Sequence, residues 1–237
     1  MAHKSTPKQG VDIVEEARVF WMKNNKPVIY IGSIIILALA GWIFYKYSIQ
    51  APKNKKANDL VFVTQKYFSE FANDNSDDSA KIQLAGKVLN GDGMNPGALK
   101  IINQYGGSAA ANLCQYYAGA CYLSLGQFDK AIDHLKKFDA NGATQIESHA
   151  YGMLGDASAE LKKNDDALNY YKKAANVNTK DDFTSSEFLF RAAAFAQMTG
   201  NKNEAIALFK KLKSDYPMTE KGASADRYLA RLGDLTN

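Results

Sequence analysis

The 237-residue sequence predicts an all-α protein with a single N-terminal transmembrane helix followed by an α-solenoid of repeated helical pairs. Three observations support this prediction. Residues 28–45 carry no charge, the chain after residue 67 has apolar residues at helical spacing, and three of its segments are similar to one another. With 46% hydrophobic and 23% charged residues, the composition excludes a disordered tail protein, a collagen and a polytopic transporter.

The uncharged run VIYIGSIIILALAGWIFY, residues 28–45, is long enough to cross a membrane. As a helix it spans about 27 Å, close to the thickness of the hydrocarbon core of a bilayer. Pro27 suits the first turn of this helix, because a proline there loses no helical hydrogen bond. We therefore predict a transmembrane helix over residues 27–47. Its membrane residues include Val28, Ile34, Leu37, Trp42 and Tyr45.

A cleaved signal peptide is the alternative to a retained membrane anchor. The run Ala38-Leu39-Ala40 matches the small-residue pattern of a cleavage site. The apolar run continues beyond it to Tyr45, however, and the segment before the run is unusually long for a signal peptide. These two features favour an anchor that stays in the protein.

Positive charge is concentrated beside the predicted span. Residues 1–26 carry five Lys or Arg against three Asp or Glu, and residues 46–66 carry five against one. Residues 67–237 have a net charge of −2. This distribution favours anionic lipid headgroups over nucleic acid, which requires a basic face on the globular part. Because Lys and Arg are equally numerous on the two sides of the span, charge leaves the orientation open.

The N-terminal tail, residues 1–26, contains a short amphipathic pattern, VDIVEEARVFWM, at residues 11–22. Most of its apolar residues fall on one helical face, whereas Glu15 and Glu16 face away. Such a segment either lies in the membrane interface or against a membrane partner, or it extends the transmembrane helix. The sequence leaves both possibilities open.

Three segments after the span share a helix–turn–helix pattern, at about residues 112–138, 148–174 and 186–212 of a domain that covers residues 48–237. Each has a small residue inside its first helix and an alanine early in its second. These residues are Gly119, Gly155 and Ala193, and then Ala131, Ala167 and Ala205. The segments resemble tetratricopeptide repeats. Small residues let the helices of a pair cross closely, and several pairs must stack to bury their apolar faces.

The turns and flanks of these repeats are less regular. Gly126 and Gly200 occupy the turn between paired helices, but Lys162 takes that place in the second repeat. Successive second-helix alanines are 36 and 38 residues apart, which predicts extended loops, since about 34 is usual for the family. We also predict helices at residues 59–71, 79–88 and 98–105, a turn-rich loop at residues 90–97 and a capping helix at residues 220–235.

The predicted binding site is a groove lined by the first helix of each pair. By resemblance to tetratricopeptide repeats, its positions are Tyr116, Ala120, Leu123, Ser124, His149, Gly152, Asp156, Glu160, Phe190, Ala194, Gln197 and Met198. This mixture of aromatic, small and carboxylate side chains suits a peptide or a helix of a partner protein. The alternative is that some of these residues contact the capping helix or the N-terminal helices of the same chain.

No catalytic, phosphate-binding or metal motif is recognisable, and we expect a non-enzymatic protein without cofactor, catalytic residue or bound metal. His3, His134 and His149 are each isolated from other ligands at metal-binding spacing. A hydrolase that uses His149 with Asp156 or Glu160 is disfavoured, because those carboxylates lie about 10 Å or more from the histidine along the helix axis.

Other reactive side chains have structural explanations. The acidic pairs Asp77-Asp78, Asp165-Asp166 and Asp181-Asp182 fall at turns or helix starts, where they complement helix dipoles. Asp92 lies between glycines but lacks the other ligands of a calcium loop. Cys114 and Cys121 lie two turns apart on one predicted helix, too far for a disulfide, and we expect Cys121 to be a small buried residue.

The run VEEARVFW at residues 14–21 is followed by Asn24-Asn25 and by a single span that ends in GWIFY at residues 41–45. With helical repeats directly after the span, the chain resembles the YfgM-type family of bacterial inner-membrane proteins, which are ancillary subunits of the Sec translocon. The resemblance implies a cytoplasmic N-terminus and a periplasmic repeat domain. It also implies association with translocon subunits and with a membrane-anchored periplasmic chaperone of the peptidyl-prolyl isomerase type.

These features together predict a non-enzymatic, membrane-anchored protein–protein interaction subunit of the bacterial inner membrane. By the resemblance, it is accessory to the Sec translocon and linked to periplasmic chaperone action on secreted proteins. Besides these partners we expect contact with the lipid bilayer and none with nucleic acid. An envelope scaffold for division or cell-wall assembly is the alternative, and only the identity of the partner distinguishes the two.

Overall fold

A computed structural model describes residues 9–74 and 78–234, with side chains from Ile13 onward. The described residues are almost entirely helical, which confirms the all-α class. The helices are α1 (Gln9–Phe44), α2 (Ala51–Asn73), α3 (Asp78–Asn90), α4 (Ala98–Tyr105), α5 (Ala109–Ser124), α6 (Phe128–Leu135), α7 (Thr144–Glu160), α8 (Asn164–Asn176), α9 (Asp182–Met198), α10 (Lys202–Asp215) and α11 (Glu220–Arg231). The chain divides into two compact units, of which the first ends at Lys53 and the second begins at Asn54. His3, Asp77 and Leu235, which figure in the sequence predictions, lie outside the described residues.

Helix α1 carries both the amphipathic pattern of the tail and the apolar run. It has 36 residues and contains Pro27 in its interior, so the prediction that Pro27 lies in the first turn of this helix is wrong. Among the described residues, one helical stretch, Ile13–Asn73, which includes most of α1, is long and apolar enough to cross a membrane. None of its most apolar window is buried inside the protein, whereas the core helix of a soluble protein is mostly buried. A membrane anchor and a signal sequence both fit this finding.

A π-helical segment, Tyr45–Gln50, follows α1. The ammonium group of Lys46 lies 5.0 Å from the centre of the Trp42 ring and 5.9 Å from that of the Tyr47 ring. Aromatic rings beside a lysine are typical of the boundary between hydrocarbon and headgroups. This end of the apolar run therefore has the residues of an interfacial anchor.

The loop between α3 and α4 is fastened to α2. Asp92 accepts hydrogen bonds from the backbone N–H of Asn95 at 2.7 Å and from the Tyr67 hydroxyl at 2.8 Å. The Thr64 hydroxyl of α2 donates to the carbonyl of Pro96 at 3.1 Å. The hydrogen bonds to Asp92, led by those from Asn95, hold the pKa of its carboxyl well below its usual range. They explain the aspartate in this loop without a calcium ion.

The pairs α5–α6, α7–α8 and α9–α10 pack one after another along the chain. The small residues of the repeat pattern lie where paired helices cross. A Cβ atom on Gly119 would lie 2.5 Å from Leu135, and one on Gly155 would lie 2.6 Å from the Tyr171 ring. The corresponding alanines, Ala131, Ala167, Ala193 and Ala205, are 0% exposed. The close approach that the repeat pattern requires is therefore present in each pair.

Helix α11 packs against α9 and α10, as the first helix of a further repeat would. It begins after Thr219, whose hydroxyl accepts the N–H of Gly222 at 3.0 Å. It ends at Arg231 rather than at residue 235, so the sequence prediction was too long. The reason is Gly233, whose φ of +75° is the left-handed conformation that closes helices.

Acidic residues lie at helix starts, as the sequence predicts. Asp165 and Asp166 are in the first turn of α8. Asp182 is in the first turn of α9, and the preceding Asp181 accepts the N–H of Thr184 at 3.0 Å as a helix cap. Interaction with the free N–H groups of a helix accounts for these pairs.

The turn between α7 and α8 is strained by its lysine. Lys162 has a φ of +59°, in the same left-handed region as the equivalent Gly126 at +69° and Gly200 at +81°. Only glycine adopts this conformation without a steric cost of about 1–2 kcal/mol. Lys162→Gly is therefore expected to raise the free energy of unfolding by about 0.5–1 kcal/mol, measured by urea denaturation. Lys163→Gly, at an ordinary φ of −84°, is the control, and an equal gain there would contradict this explanation.

Both cysteines are free and 0% exposed, which confirms that they do not pair and that Cys121 is buried. Burial raises the pKa of the Cys114 and Cys121 thiols to about 12. A thiol reagent at pH 8 is therefore expected to label neither cysteine in the folded protein and both in denaturant. Rapid labelling of the native chain would show that α5 is not packed as described.

Candidate functional site

The first helices of the three pairs, α5, α7 and α9, line the face on which the sequence predicts a groove, and we call it the groove face. A recess of about 260 Å³ opens on this face between α7 and α9; we call it the central recess. Its lining residues are Asp156, Tyr171, Phe190, Arg191, Ala194, Phe195 and Met198. Apolar walls with a few polar groups at the rim suit an apolar side chain carried on a peptide backbone.

A polar network fixes the rim of the central recess. The Arg191 guanidinium donates to Glu187 at 3.0 Å and lies 3.6 Å from a carboxylate oxygen of Asp156. The Tyr171 hydroxyl donates to the other oxygen of Asp156 at 2.8 Å. Burial and the Asp156 charge raise the pKa of Tyr171, so this hydroxyl stays protonated. The network holds Asp156 and Arg191 in place beside the recess.

Glu187 joins this network to helix α11. Burial acts to raise the pKa of Glu187, but the hydrogen bond from Arg191 and the charges of Lys221 and Arg191 outweigh it and lower the value. The Lys221 ammonium lies 3.4 Å from Glu187. The carboxylate is therefore ionised at neutral pH and shared between two cations.

His149 lies on the groove face but has a packing role. It is exposed on one side, and its ring meets the edge of the Phe188 ring at 5.6 Å. Burial, with the nearby Arg191 charge, lowers the pKa of His149, so the ring is neutral at neutral pH. Asp156, the nearer carboxylate of the hydrolase hypothesis, is held by Tyr171 and Arg191 instead. This arrangement gives no support to a His–Asp catalytic pair.

In the first repeat, the groove position Tyr116 lies against another part of the chain. The Phe68 ring of α2 is 5.9 Å from the Tyr116 ring and stacks on Tyr117 at 4.1 Å. The ring of Phe138 is 5.3 Å from Tyr116 on another side. Ala120 and Leu123 are half-buried and Ser124 is exposed. Helix α2 therefore covers the aromatic position that the repeat pattern assigns to the groove.

In the second repeat, Gly152 is buried under a neighbouring ring. A Cβ atom there would lie 2.2 Å from the Phe188 ring, which fills the place of a groove side chain. Asp156 is half-buried at the rim of the central recess, and Glu160 is exposed beyond it. Of the predicted positions in this repeat, Gly152 is therefore the covered one, whereas His149, Asp156 and Glu160 keep exposed surface.

In the third repeat, helix α11 covers one side of Phe190. The rings of Phe190 and Tyr228 are 5.1 Å apart, and the Lys221 ammonium lies 4.7 Å from the Phe190 ring. Ala194 and Gln197 are half-buried, and Met198 is 74% exposed. The structure thus brings four of the predicted positions together around the central recess: Asp156, Phe190, Ala194 and Met198.

Three residues of the central recess were not among the sequence-predicted positions: Tyr171, Arg191 and Phe195. Arg191 could have been found, because it lies two helical turns before Met198 and therefore on the same face of α9. Tyr171 belongs to a second helix, and its hydroxyl reaches the groove face only because Gly155 lets the ring lie across α7. No local pattern in the sequence signals this reach.

The remaining histidine is held by a neighbouring side chain. His134 Nδ1 lies 2.7 Å from the amide oxygen of Gln115. Within the parts of the chain that the structure describes, no group of three or more His, Cys, Asp or Glu residues is arranged to hold a metal ion.

Comparisons with known proteins agree with the helical pattern. Models of the tetratricopeptide repeat family match residues 113–141, 148–181 and 187–217. A search of curated proteins finds no match.

Two crystal structures of a repeat protein from Podosopora anserina, provisionally assigned as a kinesin light chain with nearly identical TPR-like repeats, have a similar fold. The TM-scores are 0.51 and 0.52, with 13% and 14% sequence identity. The alignments cover 75% and 78% of this chain and 84% and 87% of those chains. At such identity the similarity concerns the fold alone. The chain thus carries helical repeats of the tetratricopeptide type, and they follow a long N-terminal apolar helix.

Proposed function

We propose that the protein is a non-enzymatic, membrane-anchored subunit that binds a segment of a partner protein on its groove face. Tetratricopeptide repeats are a protein-interaction scaffold. The observation that carries the proposal is the central recess, an apolar opening left between two positions that the chain covers with its own helices. Phe68 lies on Tyr116 at one side and Tyr228 on Phe190 at the other. Met198, at 74% exposure, is the apolar side chain of the recess that is most available to a partner.

For the identity of the partner, we propose translocon subunits and a membrane-anchored periplasmic chaperone of the peptidyl-prolyl isomerase type. The resemblance of the N-terminal run, the span and the repeats to the YfgM-type family supports this assignment. In this proposal the chain crosses the bacterial inner membrane once, with its N-terminus in the cytoplasm and its repeats in the periplasm. Its role is accessory to the Sec translocon and to chaperone action on secreted proteins.

Affinity purification of the full chain in mild detergent tests this function. The variant Met198→Asp places a charge in the central recess and is expected to reduce recovery of translocon subunits about tenfold, the effect of losing one good interface contact. Met218→Asp is the matched control, because Met218 is 93% exposed and lies outside the recess. Its recovery should equal that of the wild type.

The other outcomes are equally informative. Recovery of division or cell-wall proteins in place of translocon subunits would support the envelope-scaffold alternative. If no protein is recovered specifically, or if both variants behave as the wild type, the groove face is not the binding site.

Protease treatment of intact cells and of spheroplasts tests the topology. In the proposed orientation, added protease degrades the repeats in spheroplasts but not in intact cells. Repeats that remain protected in spheroplasts would place them in the cytoplasm and contradict a periplasmic role.

A further inference from the structure

Helix α11 carries two arginines, Arg227 and Arg231, one turn apart. Their guanidinium groups lie beside the ring of Tyr228, a residue of the same helix. The guanidinium carbons of Arg227 and Arg231 lie 5.3 and 5.6 Å from the centre of the Tyr228 ring. A single aromatic ring thus contacts both cations. We call Arg227, Tyr228 and Arg231 the α11 patch.

Two neighbouring aromatic rings hold Tyr228, at the centre of the α11 patch, in place. Tyr228 stacks on Phe209 at 5.0 Å with the two planes only 10° apart, and Phe209 is 0% exposed. The edge of Tyr228 also meets Phe190, a residue of the central recess, at 5.1 Å. The α11 patch is therefore held in place and adjoins the central recess.

Both arginines are available to an external anion. Among the described residues, neither guanidinium has a carboxylate within ion-pair distance. The acidic residue closest in sequence to Arg227 is Asp226, which Lys213 engages at 2.9 Å, and the one closest to Arg231 is Asp234, which Lys210 engages at 2.7 Å. Glu187 is shared between Arg191 and Lys221. The helix dipole favours a basic residue such as Arg231 in the last turn of α11, but it does not account for a second cation one turn earlier.

We infer that the central recess and the α11 patch form one composite site for an acidic segment of a protein partner. An apolar residue of the segment occupies the recess, and carboxylates a few residues away pair with Arg227 and Arg231. Paired arginines suit carboxylates because each guanidinium presents its N–H donors in a fixed plane. The inference rests on the proposed function, and it names the chemistry of the segment that the groove face selects.

Charge favours a protein segment over a nucleic acid. Residues 67–237 have a net charge of −2, so the repeats as a whole repel a long polyanion. Nucleic-acid binding depends on many phosphate contacts over an extended basic surface. The α11 patch has two arginines beside an apolar recess, which matches a short acidic stretch next to an apolar anchor.

The test uses the full chain in phosphatidylcholine nanodiscs and a panel of fluorescent 15-residue peptides. Each peptide has a central leucine or phenylalanine flanked on both sides by glutamate, glutamine or lysine. Fluorescence anisotropy is expected to show about tenfold tighter binding of the glutamate peptides than of the glutamine peptides. The difference should shrink in 0.5 M salt, because exposed ion pairs are screened.

The double variant Arg227→Gln/Arg231→Gln is expected to abolish the preference for glutamate, so that the glutamate and glutamine peptides bind with equal affinity. Lys136→Gln/Lys137→Gln, which removes the same charge from exposed residues elsewhere, is the control and should keep the preference. Circular dichroism confirms that each variant is folded.

The outcomes separate the inference from the proposed function. If Met198→Asp weakens all the peptides but the arginine variant keeps the glutamate preference, the groove face binds and the α11 patch does not. Peptides that bind neither the wild type nor the variants would contradict both. If the preference is seen in phosphatidylcholine but lost in phosphatidylglycerol nanodiscs, anionic headgroups occupy the patch in a membrane, and its assignment to a protein segment is overturned.

Discussion

Phe209→Ala is expected to lower the free energy of unfolding of the repeats by about 3–5 kcal/mol. Phe209 is 0% exposed and lies under Phe190 and Tyr228, at ring distances of 6.0 and 5.0 Å. Truncation leaves a cavity where α9, α10 and α11 meet, and neither neighbouring ring can fill it without leaving its own contacts. The loss of stability therefore includes both the transfer free energy of the buried ring and the cost of the cavity that remains.

Urea denaturation followed by circular dichroism at 222 nm measures this loss on the full chain in mild detergent. Tryptophan fluorescence is unsuitable, because Trp21 and Trp42 both lie on α1. Phe183→Ala is the control, since Phe183 is 82% exposed and should change stability by less than about 0.5 kcal/mol. Similar losses in the two variants would show that Phe209 is not a core residue.

Gly152→Ala is expected to lower the free energy of unfolding by about 2–3 kcal/mol. The new Cβ atom would lie 2.2 Å from one atom of the Phe188 ring and 2.8 Å from another. Phe188 is 3% exposed, so its ring can move only by displacing neighbours in the core. A methyl group here therefore separates α7 from α9 and distorts the wall of the central recess.

The control for this substitution is expected to change the free energy of unfolding in the opposite direction. Gly86 also lies inside a helix, α3, but a Cβ atom there would meet nothing within 4 Å. Because alanine is the better helix former, Gly86→Ala should raise stability by about 0.5–1 kcal/mol. Urea denaturation measures both variants. If Gly152→Ala is stabilised as Gly86→Ala is, Phe188 does not lie across Gly152.

The repeat pattern predicted the contacts between adjacent helices well. Gly119 and Gly155 were assigned to helix crossings from the resemblance to tetratricopeptide repeats, and both are in contact with a large side chain of the paired helix. Lys162 was recognised as a substitute for a turn glycine, and its φ of +59° agrees with that place. Such features are local, because a pair of helices fixes them within one repeat.

For contacts between distant segments, the sequence offered only the alternative that some groove positions contact the capping helix or the N-terminal helices, without saying which positions. Tyr116 occupies a groove position in the repeat pattern, yet Phe68 of α2 lies against it. Helix α2 is outside the repeats, and nothing in its sequence specifies which face of α5 it covers. Likewise, Gly152 occupies the position of Tyr116 and Phe190, but its place is filled by a ring from the next first helix, Phe188. Packing of one repeat on another decides which groove positions stay open.

The stack of Tyr228 on Phe209 links the end of the solenoid to the proposed binding surface. Terminal helices of repeat arrays have neighbours on one side only, and they fray first. Helix α11 is held down by the same tyrosine ring that adjoins the central recess, so a ligand that rests on this ring also suppresses fraying. Occupied protein is therefore expected to resist C-terminal proteolysis and to melt at a higher temperature than free protein, by an amount that grows with the logarithm of the ligand concentration.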